Sequence, residues 1–263
     1  MAYGDDEKKK RSPLAIIGGV LAFAAAYGGA KSIVNGGWNF YNNSPARFEA
    51  NFEEAVTSNP AMASTYGAMK EYFPEDYAGF KADMQRRVSD GATNEEMKAA
   101  SHAYMRAFTS RHNIDVAHAP SAYLKEFRVT QREVVEKLAT ESAELCAHFG
   151  ITGLLPTDRP SKNAQSIIAN AARQQIRTAG EGMRKPVMRD TKTITDADSI
   201  AFVDAMVKGG LAESEVDLIS DSKELSQASA EQQCRVSRAI YNAMNSLPEA
   251  QADRVTAIIV SSS

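Results

Sequence analysis

The sequence has very little of the apolar and polar alternation that marks a half-buried strand, and runs of Val, Ile and Thr bounded by turn formers are nearly missing. Ala, Glu, Lys, Gln and Met are plentiful instead, so an all-α fold is expected. With a formal net charge of −3, the chain lacks the basic excess that draws a protein to nucleic acid, and no nucleic-acid partner is expected. There is no Gly-x-Ser-x-Gly elbow, no His-Glu-x-x-His pair and no Walker loop. On these grounds no catalytic, metal or cofactor-binding residue is nominated, no cofactor is expected, and the chain reads as a non-enzyme. No repeat of 20–50 residues is evident, which argues against a solenoid.

What is present begins with one apolar run. Leu14 to Ala30 carries no charged residue and, at roughly 17 residues, meets the short limit for crossing a bilayer. Lys31 can snorkel, and Ile33 and Val34 extend the run toward the usual span of about 20. Tyr27, Trp38 and Tyr41 fall near the far boundary, where amphipathic rings favour the interface, so Tyr27, Lys31, Trp38 and Tyr41 are the expected interfacial anchors. Gly18, Ala22, Ala26 and Ala30 recur at every fourth position, a small-residue stripe along which another helix can pack.

Lys8, Lys9, Lys10 and Arg11 outnumber Lys31 and Arg47 around the run, and basic residues are retained on the cytoplasmic side. The expected organisation is therefore a cytoplasmic tail (1–12), a single transmembrane helix (13–34), a linker (35–45) and a helical extracytoplasmic region (46–260). In a bacterium that means the inner membrane, with the helical region in the periplasm. A cleaved secretory signal is the rival reading, since Ala24-Ala25-Ala26 or Gly28-Gly29-Ala30 satisfies a small-x-small rule. Acidic Asp5, Asp6 and Glu7 in the leading segment weigh against it.

Downstream, apolar spacing predicts a helix from Arg47 to Ser58 with Phe48, Phe52 and Val56 on one face, then one from Pro60 carrying Tyr66, Met69 and Phe73. Pro74 opens a third, with Tyr77, Phe80, Met84 and Val88, that closes at Asp90-Gly91. Thr93 with Glu96 has the spacing of a capping box ahead of Met97, Ala100, Tyr104 and Phe108. The longest helix is expected after Pro120, running through Leu124, Phe127, Val134, Leu138, Leu145 and Phe149 to Gly150, its stripe interrupted at Gln131 and Ser142. A helix from Lys162 to Ala179, with Ile168, Ala172 and Ile176, is expected to end at Gly180 and Gly182. The stretch 180–194 is the candidate internal boundary. Asp196 to Lys208 is expected to bury Ile200, Val203 and Val207, and Glu213 to Ile219 forms a shorter helix. Boxes at Ser229 with Gln232 and at Ser246 with Glu249 start the last two.

Cys146 and Cys234 each lie beside the apolar stripe of a helix, so two packed helices can bring the sulfurs together; a disulfide is expected if the region is exported, and two inert thiols if it is not. They are too far apart for a CxxC redox pair. His112, Asp115 and His118 are close in sequence, but on a continuous helix the two imidazoles diverge by roughly 120°, which speaks against a metal site. His102 is expected on an exposed face, and His148 beside a helix C-terminus. Arg184, Lys185, Arg189 and Lys192 read first as a solvated loop, with an acidic partner or a lipid headgroup as the functional alternative. Together these features predict an anchored interaction, scaffold or accessory-subunit protein, in contact with the lipid bilayer and with other membrane subunits or a second copy. The alternatives are a membrane-anchored periplasmic hydrolase or small-ligand-binding domain and, third, a chaperone-like factor.

Overall fold

A computed structural model describes residues 48–262 apart from 156 and 220. The tail, the membrane segment with its Gly18, Ala22, Ala26 and Ala30 stripe, the anchors Tyr27, Lys31, Trp38 and Tyr41, and the linker all lie outside the described residues. Among those that are described, no helix is long and apolar enough to cross a membrane.

The described residues are helical and contain no strand. The first half is α1 (Phe48–Ser58), α2 (Pro60–Tyr72), α3 (Pro74–Ser89), α4 (Asn94–Ala117), α5 (Ser121–Ala139), α6 (Ala143–Ala147) with a π turn (His148–Thr152), and α7 (Lys162–Arg184). After an irregular segment come α8 (Asp196–Lys208), α9 (Glu213–Ile219), α10 (Ser222–Gln227), α11 (Ala230–Ser246) and α12 (Glu249–Ser261).

Most boundaries follow from local chemistry. Pro60 and Pro74 occupy first-turn positions, where the missing N–H costs nothing. The Asn59 side chain accepts from the amides of Ala61 and Met62. Both capping boxes at Thr93/Glu96 and Ser229/Gln232 form in full. Gly91 ends the turn after α3 at a φ of 81°, a conformation that favours glycine.

Five expectations need correction. The helix after Pro120 breaks, because the Ser142 hydroxyl accepts the amides of Glu144 and Leu145 and so starts α6 afresh; among the described residues α4, not this helix, is the longest. Gly180 and Gly182 do not end α7: both are buried inside it, where a Cβ would overlap the Tyr72 side chain and the Asp115 carbonyl respectively. They are packing glycines that let α2 and α4 approach. Helix α8 is rotated from the expected face. Asp198, Ser199, Phe202 and Met206 are buried while Ile200 is exposed, since Asp198 turns inward to a two-pronged bond with Arg254 on α12 (both 2.7 Å). The Ser246/Glu249 box is not made; the Ser246 hydroxyl donates to the Ala243 carbonyl, and Pro248 precedes α12 without a side-chain cap. His102 is half-buried rather than exposed.

Two apolar cores result. One lies among α1 to α4 and is aromatic and methionine-rich: Tyr66 stacks on Phe80 at 5.0 Å, Phe52 meets Phe80 edge-on at 6.0 Å, and Phe73 meets Phe108 at 5.1 Å. Burial pushes the Tyr66 phenol up to about 12, so it stays neutral and hydrogen-bonded to Ser101. The other, among α6 and α8 to α12, is mainly aliphatic. There Cys146 on α6 and Cys234 on α11 are joined in a disulfide, closing a separation of 88 residues with Cα atoms 5.2 Å apart. Helices α5, α7 and α12 contribute to both cores: α7 gives Ile168 to one and Ile176 to the other. The candidate boundary near 180–194 is thus crossed by buried side chains on three helices.

Candidate functional site

The segment between α7 and α8 has little regular structure yet is fixed along its length. Lys185 ends α7, and two residues later the Val187 amide donates to the His118 carbonyl at 2.7 Å. The Arg189 guanidinium then turns inward. Nη1 donates to the carbonyls of Ala119 (2.7 Å) and Ala117 (3.2 Å), while Nη2 reaches Ser121 Oγ and Asp253 Oδ2, each at 3.3 Å. Carbonyls at the end of α4 are a natural partner for a cation, because the helix dipole is negative there. The Asp190 carboxylate accepts the amides of Lys192 and Thr193, Ser261 donates to the Thr191 carbonyl, and Ile194 is buried.

Asp253 serves two arginines. Its other oxygen accepts from Arg128 Nη1 at 2.7 Å, and the three side chains are 3%, 8% and 6% exposed for Arg128, Arg189 and Asp253. Arg189 was expected in a solvated loop and is instead interior; burial away from water pushes its guanidinium below its ordinary range. Arg184 departs from that expectation as well, lying over the Tyr72 ring at 4.5 Å, although its side chain remains half-exposed.

This anchorage determines what projects. Met183, Val187 and Met188 are exposed, Met188 by 76%. Gly182 packs on the Asp115 carbonyl and Val187 bonds His118, so these side chains emerge beside the last turns of α4, which add exposed Ile114. Arg184 and Lys185 stand between them in sequence and are also exposed. The arrangement is an apolar projection carrying positive charge on a backbone that is held.

Other titratable groups are engaged structurally. The His112 ring sits against Phe73 (4.2 Å) and Phe108 (4.8 Å), with Nδ1 facing Asp115 Oδ2 at 2.7 Å and Nε2 facing Asp76 Oδ2 at 3.3 Å; Arg111 pairs with the second Asp76 oxygen. Helix α4 continues through His112 and Asp115 to Ala117, and the imidazole ties α4 to α3. His148 meets Asp158 at 3.0 Å. Among the described residues no three His, Cys, Asp or Glu side chains are grouped to hold a metal. A cavity of about 540 Å³ between α8, α11 and α12 contains one acid and one base, Asp204 and Lys208.

Comparisons with protein-family models, with curated proteins and with solved structures gave no match.

Arg128 and Asp253 are what sequence reading missed. A signal existed: each is a charge set inside the apolar face of its helix, Arg128 beside Phe127 and Asp253 beside Ala252. Their opposite signs pointed to pairing, but nothing local identified Arg189 as the third member.

Proposed function

We propose that the chain is a single-pass, membrane-anchored interaction module of scaffold or accessory-subunit type, with its N-terminus cytoplasmic and its helical region on the far side. The observation that carries this reading is the projection at 183–188. Scattered exposed apolar residues are ordinary on a protein surface. Three within six positions, on a segment held by a buried arginine and a backbone bond to α4, form a pre-organised contact surface. Lys185, together with Arg184, which is shared between Glu181 at 3.6 Å and solvent, selects a protein partner with an apolar patch rimmed by acidic residues. The disulfide supports placement in an oxidising compartment, and residues 13–34 supply the anchor.

The test is a photo-crosslinking side chain placed at Met188 in the full-length chain, expressed in its native host. A discrete adduct is expected, lost when Lys185→Glu is added. The same probe at Ile200, an exposed apolar position on α8, is the control and should give none. No adduct from position 188, or equal adducts from both positions, sinks the reading.

A further inference from the structure

A second cavity lies where α5 passes the corner between α11 and α12. It measures about 270 Å³ and is lined by Lys125, Arg128 and Arg132 from one face of α5, with Asn245 and Glu249 opposite. At roughly 30 Å³ per liquid water, it has room for several waters or one small polyatomic anion. Three cations thus face one carboxylate. That carboxylate is a weak partner, with Glu249 standing 4.0 Å from Lys125 and both side chains more than half exposed.

The cations differ in how they are held. Arg128 is buried, and both of its bonds, to Asp253 and Thr256, run through Nη1. Asp253 already shares its charge with Arg189, so it does not cancel the charge that Arg128 presents to the cavity. Arg132 is half-buried and makes no ion pair with any described residue. Glu136, one turn further along the same helix, is hydrogen-bonded by Arg238 and Asn242 and meets Arg132 only through longer-range attraction. On the opposite wall, α12 starts at Glu249, and Pro248 before it gives no side-chain cap, so the positive end of a 13-residue helix adds to the same field.

We infer that this cavity is a binding site for a phosphate group. Guanidinium donors match phosphate oxygens in geometry as well as charge. Arg128, held rigidly by Asp253, orients the group, and Lys125 and Arg132 close over it from the solvent side. Such a group resides either in free phosphate or in a lipid headgroup of the phosphatidic acid type. The site stands apart from the 183–188 projection, and its failure leaves the docking proposal untouched.

The experiment is isothermal titration of the full-length chain in mild detergent, in a buffer free of phosphate, with inorganic phosphate as the probe and sodium chloride at matched ionic strength as the blank. Saturable binding is expected. Arg132→Gln should weaken it by about tenfold, the value of one charge-assisted bond, while keeping the wild-type melting temperature without phosphate. Arg173→Gln, a change at an exposed arginine on α7, should bind as wild type. Lys125→Gln, at a mostly exposed side chain, gives a second readout should Arg132→Gln disturb folding. Dihexanoyl phosphatidic acid in place of phosphate separates the sources: affinity higher by tenfold or more assigns the site to a lipid headgroup, and equal or lower affinity assigns it to free phosphate. Phosphate and lipid heats no larger than the chloride blank, or cavity variants that bind like wild type, overturn the inference.

Discussion

The two cores of the helical region are built from different materials. The one among α1 to α4 is filled by Phe, Tyr and Met, with Phe52, Tyr66, Phe80 and Phe108 interlocked around Met62, Met69, Met84 and Met97. Aromatic edges and flexible thioethers fill irregular gaps without demanding one arrangement. The core among α6 and α8 to α12 relies on Val, Ile and Leu and is cross-linked between α6 and α11. The aromatic core is held by packing and by polar ties such as Tyr66 to Ser101 and His112 to Asp76, and the aliphatic one is also restrained in its unfolded state by a covalent loop. What joins them is α7, whose Ala169, Ala172 and Ala179 face the aromatic core and whose Ala164 and Ala171 face the aliphatic one, together with the buried Arg128, Asp253 and Arg189.

The largest way to break that comparison is reduction. Closing a loop of 88 residues is worth about 4.6 kcal/mol in the simple entropy model. Hydrogen exchange with and without reductant should show faster exchange in α6 and α11 first, with α2 and α3 nearly unchanged. Equal acceleration in both would mean that the cores form one cooperative unit. Next is Asp253→Ala, which leaves two buried guanidiniums with no carboxylate and should cost about 3 kcal/mol or more in denaturant melts. Because Arg128 and Arg189 lie on different elements, both cores should loosen; a loss confined to α12 would show that the cluster is not the joint.

Smaller effects sharpen the local picture. Thr93→Ala removes a formed cap and should cost about 1 kcal/mol, whereas Ser246→Ala, at the box that does not form, should change the melting midpoint little. Acid titration addresses Asp198, whose two-pronged bond with Arg254 holds its carboxyl below the ordinary 3.8. Its folded value is depressed, so its stabilisation is present above pH ~3.8 and drains away as pH falls through the range below it. Asp198→Asn should be less stable than wild type at neutral pH, with the difference shrinking as the pH is lowered past that point. A constant difference would assign the effect to shape rather than charge.

Much of the helix order was legible because apolar spacing and caps are local. Phe48, Phe52 and Val56 read as one face, and the Thr93/Glu96 spacing announced the start of α4. Long-range causes were not legible. Gly180 and Gly182 read as helix stops, since nothing in their neighbourhood shows that Tyr72 and Asp115 press against them. The buried face of α8 is not legible from sequence because Asp198 is polar on any scale, and Arg254 and Gln251, both on the last helix, make its burial favourable. From sequence the segment 183–188 reads as part of a charged loop; its apolar members stand out because Arg189 turns inward.

Export underlies the proposed function, and the thiol state of the chain as it exists in the cell tests it most directly. Full-length protein quenched in acid from intact cells, denatured and alkylated without reductant, should leave Cys146 and Cys234 unlabelled and should gain two labels only after reduction. Two labelled thiols before reduction would contradict an oxidising, extracytoplasmic location for the helical region.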